Sequence, residues 1–256
     1  MNKSIWRGKH GPLLIAEIGG NHEGDFEYAK ELTKLAIAAD VDFIKFQIYT
    51  GDSLVNPLES ALRNKHFKKF ELSKENHLEL AELCKKNHVG YAASVWHEDF
   101  FPWTDYYLDF YKIGSGDLTA YPLLKKIAEI GKPILLSTGL ATEIEIIESV
   151  KFIQKINPNY IKAGRLALLQ CTSMYPITHS DAHLNVMDRL REITRLSHVG
   201  YSDHTIGIDA LKYAYAMNAD VLEFHFTDDR NNRSFRDHTV SLTKADVGNL
   251  IAEIKI

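Results

Sequence analysis

The stretch GKPILLSTGLATEIEIIESVKFIQKI (131–156) contains the pattern that decides the fold. Its first part, PILLSTG (133–139), is an apolar run of strand length that ends in polar residues and glycine. The apolar residues of its second part recur at spacings of three and four, as on one face of a helix: Ile144, Ile147, Val150 and Phe152 or Ile153. Thr142, three residues before Glu145, predicts a capping box where that helix begins. The stretch therefore predicts a strand, a short loop and a helix.

The same alternation recurs along the whole chain. The apolar runs are 13–19, 43–49, 90–96, 110–116, 133–139, 167–173, 198–204 and 221–227. The helical patterns between and after them are 25–40, 74–88, 120–131, 142–157, 183–196, 208–219 and 243–255. Most runs lack strict polar alternation, which is typical of strands covered on both sides. Eight strands followed by helices predict an α/β fold, the closed (β/α)8 or TIM barrel, and residues 1–256 suit a single barrel domain of about 250 residues.

Two segments fit this pattern less well than the others. Between residues 99 and 108, Pro102 and several aromatic residues interrupt the expected third helix. Residues 50–73 form a long second strand-to-helix connection with basic Lys65, Lys68 and Lys69. Connections of that length are usually functional or disordered. A doubly wound sheet is the main rival fold, but no GxGxxG motif follows the first strand and the count of eight favours closure.

Composition limits the classes of function. The 256 residues are 45% hydrophobic and carry a formal net charge of −4, which gives no reason to expect nucleic acid or an anionic membrane as a partner. The two cysteines, Cys84 and Cys171, are too few for a disulfide framework and indicate a reducing compartment. The N-terminus has no apolar signal-peptide core and no apolar run approaches the ~18 residues of a membrane span. We therefore expect a cytoplasmic protein.

Polar residues concentrate at or just after the carboxyl ends of the predicted strands, where barrel enzymes build their active sites. They are Glu17, Lys45, Gln47, Lys112, Ser115, Asp117, Ser137, Thr172, Tyr175, Ser202, Asp203, His204, Glu223 and His225. Any one of them has an ordinary structural explanation, such as a capping serine or a buried histidine. So many on one predicted face of the barrel indicate a functional site.

The residue types indicate a site for anions. Lys45 and Lys112 lie on different predicted strands and bring positive charge to a common mouth. Ser115, Ser137 and Ser202 add hydroxyls, with backbone amides near helix starts, and this combination suits a phosphate or a carboxylate. A Schiff-base lysine is the rival interpretation of Lys112.

The residue types also allow a metal site. His204 and His225 end neighbouring strands of the predicted barrel, so both imidazoles can reach one divalent ion such as Mn2+, Fe2+, Co2+ or Zn2+. A purely structural pair of histidines remains the alternative. Glu17 and Asp203 could supply outer contacts or a water-mediated ligand.

At these residues the sequence resembles the sialic acid (N-acetylneuraminate) synthase family. The matching stretches occur in the family's order and span nearly the whole chain: IAEIGGNHEGDFEYAKEL (15–32), IKFQ (44–47), YKIGSGDLTAYPLL (111–124), GKPILLSTGLAT (131–142), LLQCTSMYP (168–176), VGYSDHTIGI (199–208) and LEFHFTDDR (222–230). The combination is specific, although each fragment alone is modest.

The resemblance implies a homodimeric transferase that condenses phosphoenolpyruvate with an N-acetylated hexosamine, typically N-acetylmannosamine, and releases phosphate. It implies that His204 and His225 bind a divalent metal, usually Mn2+. The residues implied to hold phosphoenolpyruvate are Lys45, Lys112, Ser115, Ser137 and Ser202. Those implied to face the sugar or the reacting water are Glu17, Gln47, Asp117, Ser173 and Tyr175. Glu17, Lys45, Lys112 and Asp117 are the candidate catalytic residues, and Asp203 is a further candidate for substrate binding.

The sequence departs from the family's pattern in three places. The family's Ser-Thr-Pro-Phe run at the third strand is here Ser94-Val95-Trp96-His97, so a hydroxyl is lost and Ser94 is the candidate to replace it. The Gly-Pro before Asp-His after the eighth strand is replaced by Phe235-Arg236. The family's small C-terminal antifreeze-like domain, which supplies an arginine to the sugar across the dimer, has no counterpart in this sequence. A substitute would come from 50–73 or from Arg230, Arg233 and Arg236; a solvated basic loop is the alternative interpretation of these arginines.

Two other functions remain open at this point. One is a 3-deoxy-heptulosonate-type synthase, which uses a phosphorylated aldose on a similar barrel; a phosphate site in 50–73 would favour it. The other is a non-catalytic barrel that binds a sugar or phosphate, which Val95 and the missing domain favour. Retention of both lysines, both histidines and Glu17 favours an enzyme.

Overall fold

The computed structural model describes residues 4–162, 164–231 and 233–254. Eight parallel strands close into a barrel because the first of them, β2, also pairs with the last, β9. A short strand, β1, pairs antiparallel with β2. The strands are β1 (Arg7–Gly8), β2 (Gly11–Glu17), β3 (Phe43–Ile48), β4 (Gly90–Val95), β5 (Tyr111–Ile113), β6 (Ile134–Ser137), β7 (Leu166–Cys171), β8 (Val199–Asp203) and β9 (Val221–His225). The predicted (β/α)8 barrel is confirmed.

Helices follow the barrel strands and cover the outside of the sheet. They are α1 (Phe26–Ile37), α2 (Gly51–Leu54), α3 (Ala61–Phe70), α4 (Lys74–Lys86), α5 (Phe101–Thr104), α6 (Tyr121–Ile130), α7 (Glu143–Ile156), α8 (Asn159–Lys162), α9 (Val186–Thr194), α10 (Asp209–Ala216) and α11 (Lys244–Ile254). Within the described residues, no helix combines the length and apolar character needed to span a bilayer. The predicted end of the last helix at residue 255 lies outside the described residues.

The two segments that fitted the pattern least well depart from a plain strand-to-helix unit. The connection at 50–73 is not an open loop, because it folds into α2 and α3. The third strand of the barrel, β4, is followed by the four-residue helix α5, which lies between two 3-10 turns. Pro102 lies in the first turn of α5. A proline is tolerated there, because the first turn of a helix does not need its backbone N–H.

The structure corrects the predicted face of α7. Thr142 does cap the helix, with the reciprocal Glu145 contact of a capping box. The buried apolar residues, however, are Ile146, Val150 and Ile153, whereas Ile144 is 69% exposed. The sequence contains two overlapping apolar stripes at helical spacing, and periodicity alone does not say which one meets the barrel.

Alternation along the strands separates two apolar regions. Side chains that point outward, such as Leu14 and Phe46, belong to the large core between barrel and helices. A smaller cluster fills the lower half of the barrel interior: Trp6, Leu13, Ile15, Ala92, Phe110, Leu135, Ala167, Leu169 and Val221. The next inward-facing side chain of each strand comes two residues later, at the carboxyl end of the strand. The inward-facing side chains at these positions are mostly polar, and they surround a cavity.

Candidate active site

A cavity of about 550 Å³ opens at the carboxyl ends of the strands. It brings together the sequence-predicted site residues Glu17, Lys45, Gln47, Ser94, Lys112, Ser115, Asp117, Ser137, Ser173, Tyr175, Ser202, His204 and His225. Two residues of the predicted cluster, Thr172 and Asp203, are not part of its wall. The inward alternation of the strands therefore collects side chains from all around the barrel into one place.

Two buried lysines form the floor of the cavity. Lys45 and Glu17 are register partners on β3 and β2, and Lys45 Nζ lies 2.7 Å from Glu17 Oε2. Lys112 Nζ lies 2.7 Å from Ser137 Oγ and 3.6 Å from Glu223 Oε1. Both lysines are 4% exposed, so their charges are held out of bulk water. Charges in such a setting interact far more strongly with an anion than they would at the surface.

The carboxylates and ammonium groups of the floor differ in how they hold protons. Burial raises the pKa of Glu17, and Glu223 adds to this rise, while Lys45 opposes it. Burial also disfavours the charge on Lys45, but the neighbouring Glu17 and Glu223 outweigh it and raise the pKa of Lys45. For Glu223, the effect of burial is outweighed by Lys112 and Lys45, which lower its pKa. Of the two carboxylates on the floor, Glu17 therefore takes up a proton more readily than Glu223.

Hydroxyl groups form the wall beside Lys112. Ser115 Oγ accepts a hydrogen bond of 3.0 Å from the Gly139 amide, and Ser202 Oγ donates one of 3.0 Å to Glu223 Oε1. Gly139 allows this approach, because a Cβ there would lie 2.5 Å from Ser173 Oγ and 2.8 Å from Ser115 Oγ. Burial raises the pKa of Asp117, which lines the same wall, against the opposing effect of Trp96 and Lys112. This wall offers hydroxyls and a carboxyl group that protonates readily.

Two neutral imidazoles, those of His204 and His225, lie side by side in the cavity wall at the ends of β8 and β9. The ring centroids of His204 and His225 are 5.4 Å apart. Burial lowers the pKa of His204 to about 4 and that of His225 to about 3. His204 Nδ1 donates to the Thr172 carbonyl oxygen at 2.7 Å, so its Nε2 carries a free lone pair. Neutral rings oriented by a backbone carbonyl in this way are the usual form of a metal-binding histidine.

The environment of His225 also fits a metal ligand. Its Nδ1 is buried without a hydrogen-bond partner among the described residues and lies 3.7 Å from Asp237 Oδ2. The part of the chain that the structure describes contains no group of three or more His, Cys, Asp or Glu side chains arranged to hold a metal. Two imidazoles would therefore be the protein's own donors to a bound ion, and oxygen ligands from water or substrate would have to complete the set. The residues present fit a divalent ion of the transition series.

Tyr175 and Arg236 cover the histidines from outside. The Tyr175 ring lies over His204 at 3.9 Å between centroids, and the Arg236 guanidinium lies 4.7 Å from the centre of the Tyr175 ring. The other two arginines of that loop point elsewhere, because Arg230 pairs with Asp246 and Arg233 pairs with Asp228. Of the three arginines considered from the sequence, only Arg236 lies beside the site.

The structure places the Asp203 side chain apart from the predicted residues that line the cavity. Its Oδ1 accepts hydrogen bonds from Tyr201 Oη and the Thr205 amide, and its Oδ2 accepts one from Thr205 Oγ1. Both oxygens are thus occupied at the end of β8, and the side chain lies outside the cavity wall. These hydrogen bonds hold the backbone next to His204, and the Asp203 side chain does not line the cavity. A strand-end residue points inward or outward by alternation, and Asp203 is on the outward side.

Sequence reasoning missed several wall residues. Glu223 was noted at a strand end but given no role, although its position two residues before His225 places it on the same inward side. Cys171 could have been found by the same argument. Arg63 and Phe67 on α3 carried no signal, because the fold of that connection was not expected.

The fold and the site define an enzyme of the barrel class, with a buried cationic floor and a pair of neutral histidines at the mouth. Comparison with known proteins gives the family. The model of the NeuB family matches residues 32–256. The chain belongs to the NeuB family.

Named relatives agree with this assignment. The N,N'-diacetyllegionaminic acid synthase of Campylobacter jejuni is 35% identical over 95% of this chain and 75% of its own length. The mouse N-acetylneuraminate-9-phosphate synthase is 30% identical over 97% of this chain and 71% of its own length. The crystal structure of the N-acetylneuraminic acid synthetase from Leptospira borgpetersenii superposes with a TM-score of 0.86 at 29% identity and covers 95% of this chain and 82% of that one. The chain is therefore an enzyme of the acid synthase type, a transferase that forms a carbon–carbon bond.

Proposed function

We propose that the enzyme condenses phosphoenolpyruvate with an N-acetylhexosamine-type aldose and releases phosphate, as in the synthesis of sialic or related nonulosonic acids. One observation carries this proposal: two buried lysines, ringed by serine hydroxyls, lie beside a pair of neutral histidines in one cavity. The lysines and serines suit a small compound that carries both a phosphate and a carboxylate. The histidines suit the activation of an aldehyde oxygen. The two substrates would meet between the lysines and the histidines.

Phosphoenolpyruvate would bind at the floor. Lys45 and Lys112 would contact its carboxylate and phosphate through charge-assisted hydrogen bonds. Ser115, Ser137 and Ser202 would fill the remaining acceptor positions, with Ser94 supporting them from β4. Because the cationic groups are already fixed by Glu17, Glu223 and Ser137, little reorganisation is needed when the substrate binds.

A divalent metal, most simply Mn2+, would be held by His204 and His225, with Asp237 holding the His225 ring in place. When bound, such an ion supplies Lewis acidity to the aldehyde oxygen of the acceptor. Tyr175 would shield this region from bulk water through its contact with His204. The chain's own residues thus provide the orientation of the acceptor and the exclusion of solvent.

The reaction forms a carbon–carbon bond and a bond from water to C2, and it breaks the C2–O bond to phosphate. The C3 carbon of the enol attacks the aldehyde carbon, and the aldehyde oxygen takes a proton; Glu17 is suited to give it, since burial raises its pKa. Water then adds at C2, and Asp117 would take one of its protons. Collapse of this adduct breaks the C2–O bond; the C2 hydroxyl passes its proton to the departing phosphate and becomes the ketone of the product. Gln47, whose Nε2 lies 3.1 Å from Glu17 Oε1, would orient the carboxyl group, and Ser173 would face the sugar.

The test is phosphate release from phosphoenolpyruvate, screened over aldoses in the presence of Mn2+ and then of a chelator. We expect release only when an N-acetylhexosamine is present, loss of release with chelator and recovery with Mn2+. Activity only with a phosphorylated short aldose would support a heptulosonate-type synthase instead. Activity that persists in rigorously metal-free enzyme would overturn the metal assignment. No release with any acceptor would favour a non-catalytic barrel.

One observation favours a second candidate, a Schiff-base aldolase. Burial lowers the pKa of Lys112, as in lysines that form imines with carbonyl substrates. Borohydride reduction in the presence of pyruvate or an aldose would trap such an imine on Lys112. Absence of a covalent adduct by mass spectrometry, together with phosphate release, would exclude this candidate.

We also propose that the enzyme works in the cytoplasm as a homodimer. Both cysteines are free and buried, which is consistent with a reducing compartment. Exposed apolar side chains near the mouth of the barrel, Leu140, Ile144, Met174 and Ile206, offer a surface for a second subunit. Sedimentation velocity over a range of concentrations tests the dimer, and fractionation of cells tests the compartment.

A further inference from the structure

We propose that α2 and α3 form a subsite that recognises the acylamino substituent of the acceptor sugar, with Arg63 as the residue that determines specificity for it. The proposal rests on the proposed function, since it names the part of the acceptor sugar that α2 and α3 would contact. Five residues of the connection line the outer side of the cavity: Ser53, Leu54, Val55, Arg63 and Phe67. The wall is absent from a minimal strand-to-helix unit, so it is an addition to the plain barrel.

The wall is a fixed structure. Asn64, 5% exposed, places its side-chain nitrogen 3.1 Å from the Gly51 carbonyl oxygen and 2.7 Å from that of Val55, and this ties α2 to α3. Thr50 and Ser53 form a capping box at the start of α2. Glu71 accepts a hydrogen bond of 2.6 Å from the Gly51 amide. Arg63, the neighbour of Asn64 in sequence, therefore projects from a braced helix.

Arg63 is free to bind a ligand. Among the described residues it has no carboxylate within salt-bridge distance, whereas Lys68 on the same helix pairs with Asp52 at 2.8 Å. Arg63 and Phe67 are four residues apart and thus share a face of α3, and both line the cavity. Lys65 lies on α3 as well but does not line it.

The neighbours of Arg63 decide which ligand chemistry it serves. Leu54, Val55, Phe67 and Trp96 are apolar or aromatic, and Ser53 is the single hydroxyl that α2 and α3 contribute to the cavity lining. A phosphate dianion needs several donors around it, which this wall does not offer. An acylamino group has one carbonyl oxygen for a guanidinium donor and a methyl group for apolar side chains. The wall matches the acylamino group better than the phosphate.

The subsite belongs to the acceptor and not to phosphoenolpyruvate. The buried cations on the floor, Lys45 and Lys112, occupy the inner end of the cavity, whereas Arg63 lies on α3 at its exposed rim. A small anion on the floor would leave the outer volume for the second substrate. Substituents of the sugar would then meet the α2–α3 wall while its aldehyde faces inward.

The experiment compares Arg63→Ala with the matched control Lys65→Ala, which removes one positive charge from the same helix outside the cavity. Initial rates are measured with N-acetylmannosamine, mannose and N-acetylmannosamine 6-phosphate, each at saturating phosphoenolpyruvate. We expect Arg63→Ala to lower kcat/KM for N-acetylmannosamine by about tenfold or more, mostly through KM, and to leave the KM of phosphoenolpyruvate unchanged. The ratio of kcat/KM for N-acetylmannosamine to that for mannose should fall by a similar factor. Lys65→Ala should match the wild type, and Arg63→Lys should recover part of the loss.

The outcomes separate this inference from the proposed function. If the wild type releases phosphate with N-acetylmannosamine but Arg63→Ala is unimpaired, the subsite is wrong and the proposed function stands. If Arg63→Ala impairs only the 6-phosphorylated sugar, the wall reads a phosphate and the acylamino assignment is overturned. If the wild type shows no acceptor-dependent release, the proposed function itself fails, and the inference with it.

Discussion

Lys45 Nζ lies 2.7 Å from Glu17 Oε2, and the two residues are register partners on adjacent strands at the bottom of the cavity. A buried pair of this kind holds the ammonium group in place and keeps it charged. Burial without a partner would instead drive a lysine toward its neutral form. The pair therefore presents a fixed cation and, beside it, a carboxyl group that protonates readily.

Replacing Lys45 or Lys112 with methionine should weaken the use of phosphoenolpyruvate. Each lysine offers a charge-assisted contact worth about 1.5–3 kcal/mol, so kcat/KM for phosphoenolpyruvate should fall by one to two orders of magnitude, roughly. Phosphate release at varied phosphoenolpyruvate measures this. Lys126→Met, on the exposed surface of α6, is the control and should behave as wild type. If all three variants had the same kcat/KM for phosphoenolpyruvate, Lys45 and Lys112 would not contact this substrate.

Asp237→Asn should weaken metal binding without unfolding the barrel. The Asp237 carboxylate lies 3.7 Å from His225 Nδ1, and losing such an outer contact typically costs about 10–100-fold in metal affinity. Titration of Mn2+ followed by electron paramagnetic resonance measures the dissociation constant. Asp229→Asn, at an exposed position of the same loop, serves as the comparison. An unchanged constant in Asp237→Asn would show that this carboxylate does not support the ligand.

Gly139→Ala should disturb the serine wall. The added methyl group would lie 2.5 Å from Ser173 Oγ and 3.0 Å from the Cys171 carbonyl oxygen, so side chain and backbone must both shift. Overpacking of this kind costs about 1–3 kcal/mol of stability, and activity should fall with it. Gly248→Ala, in α11 with nothing within 4 Å of its Cβ, should instead keep or slightly raise the midpoint of urea unfolding. Wild-type stability and turnover in Gly139→Ala would contradict the close packing of this wall.

The stability of the fold should fall between pH 7 and pH 4, with a contribution from His77. Burial lowers the pKa of His77 to about 3, while its unfolded pKa is near the usual ~6.5. In that interval the unfolded chain binds a proton that the folded chain does not, so the stabilisation is complete above the unfolded value and is lost as pH falls toward the folded one. The loss should be on the order of 1 kcal/mol per pH unit for this residue.

The His77 contribution is measured by urea unfolding of wild type and His77→Gln at pH 7, 6 and 5. The glutamine side chain in this variant keeps a polar partner for Tyr91, whose hydroxyl lies 2.9 Å from His77 Nδ1 in the wild type. The variant should therefore fold and show a shallower pH dependence. His179→Gln, which removes a histidine at an exposed position, is the control variant. Parallel curves for wild type and His77→Gln would mean that His77 titrates normally.

Most of the barrel and most of the cavity followed from the sequence, because both depend on local periodicity. Glu17, Lys45, Lys112, Ser137 and His225 follow apolar residues at alternating positions, so strand geometry alone places them at the inward carboxyl end. The lower apolar cluster around Trp6 and Phe110 uses the preceding inward positions of the same strands. Position along a strand thus decided whether a side chain fills the core or lines the site.

What the sequence did not reveal depends on tertiary contacts. Asp203 and Ser202 are neighbours at the same strand end, and only the register of β8 sends one outward and the other inward. The buried face of α7 depends on how the helix docks, because Ile144 and Ile146 both lie on helical stripes. Arg63 reaches the cavity only because Asn64 joins α3 to α2, a contact between residues that no periodicity links.

The most direct test of the central claim uses phosphoenolpyruvate with 18O in the bridging oxygen between C2 and phosphorus, incubated with N-acetylmannosamine and Mn2+. Mass spectrometry follows both the released phosphate and the sugar product. The account predicts one condensed sugar acid per phosphate, with the bridging 18O retained in the phosphate, because the C2–O bond breaks. Unlabelled phosphate with pyruvate as the co-product would show cleavage of the P–O bond and would contradict the account.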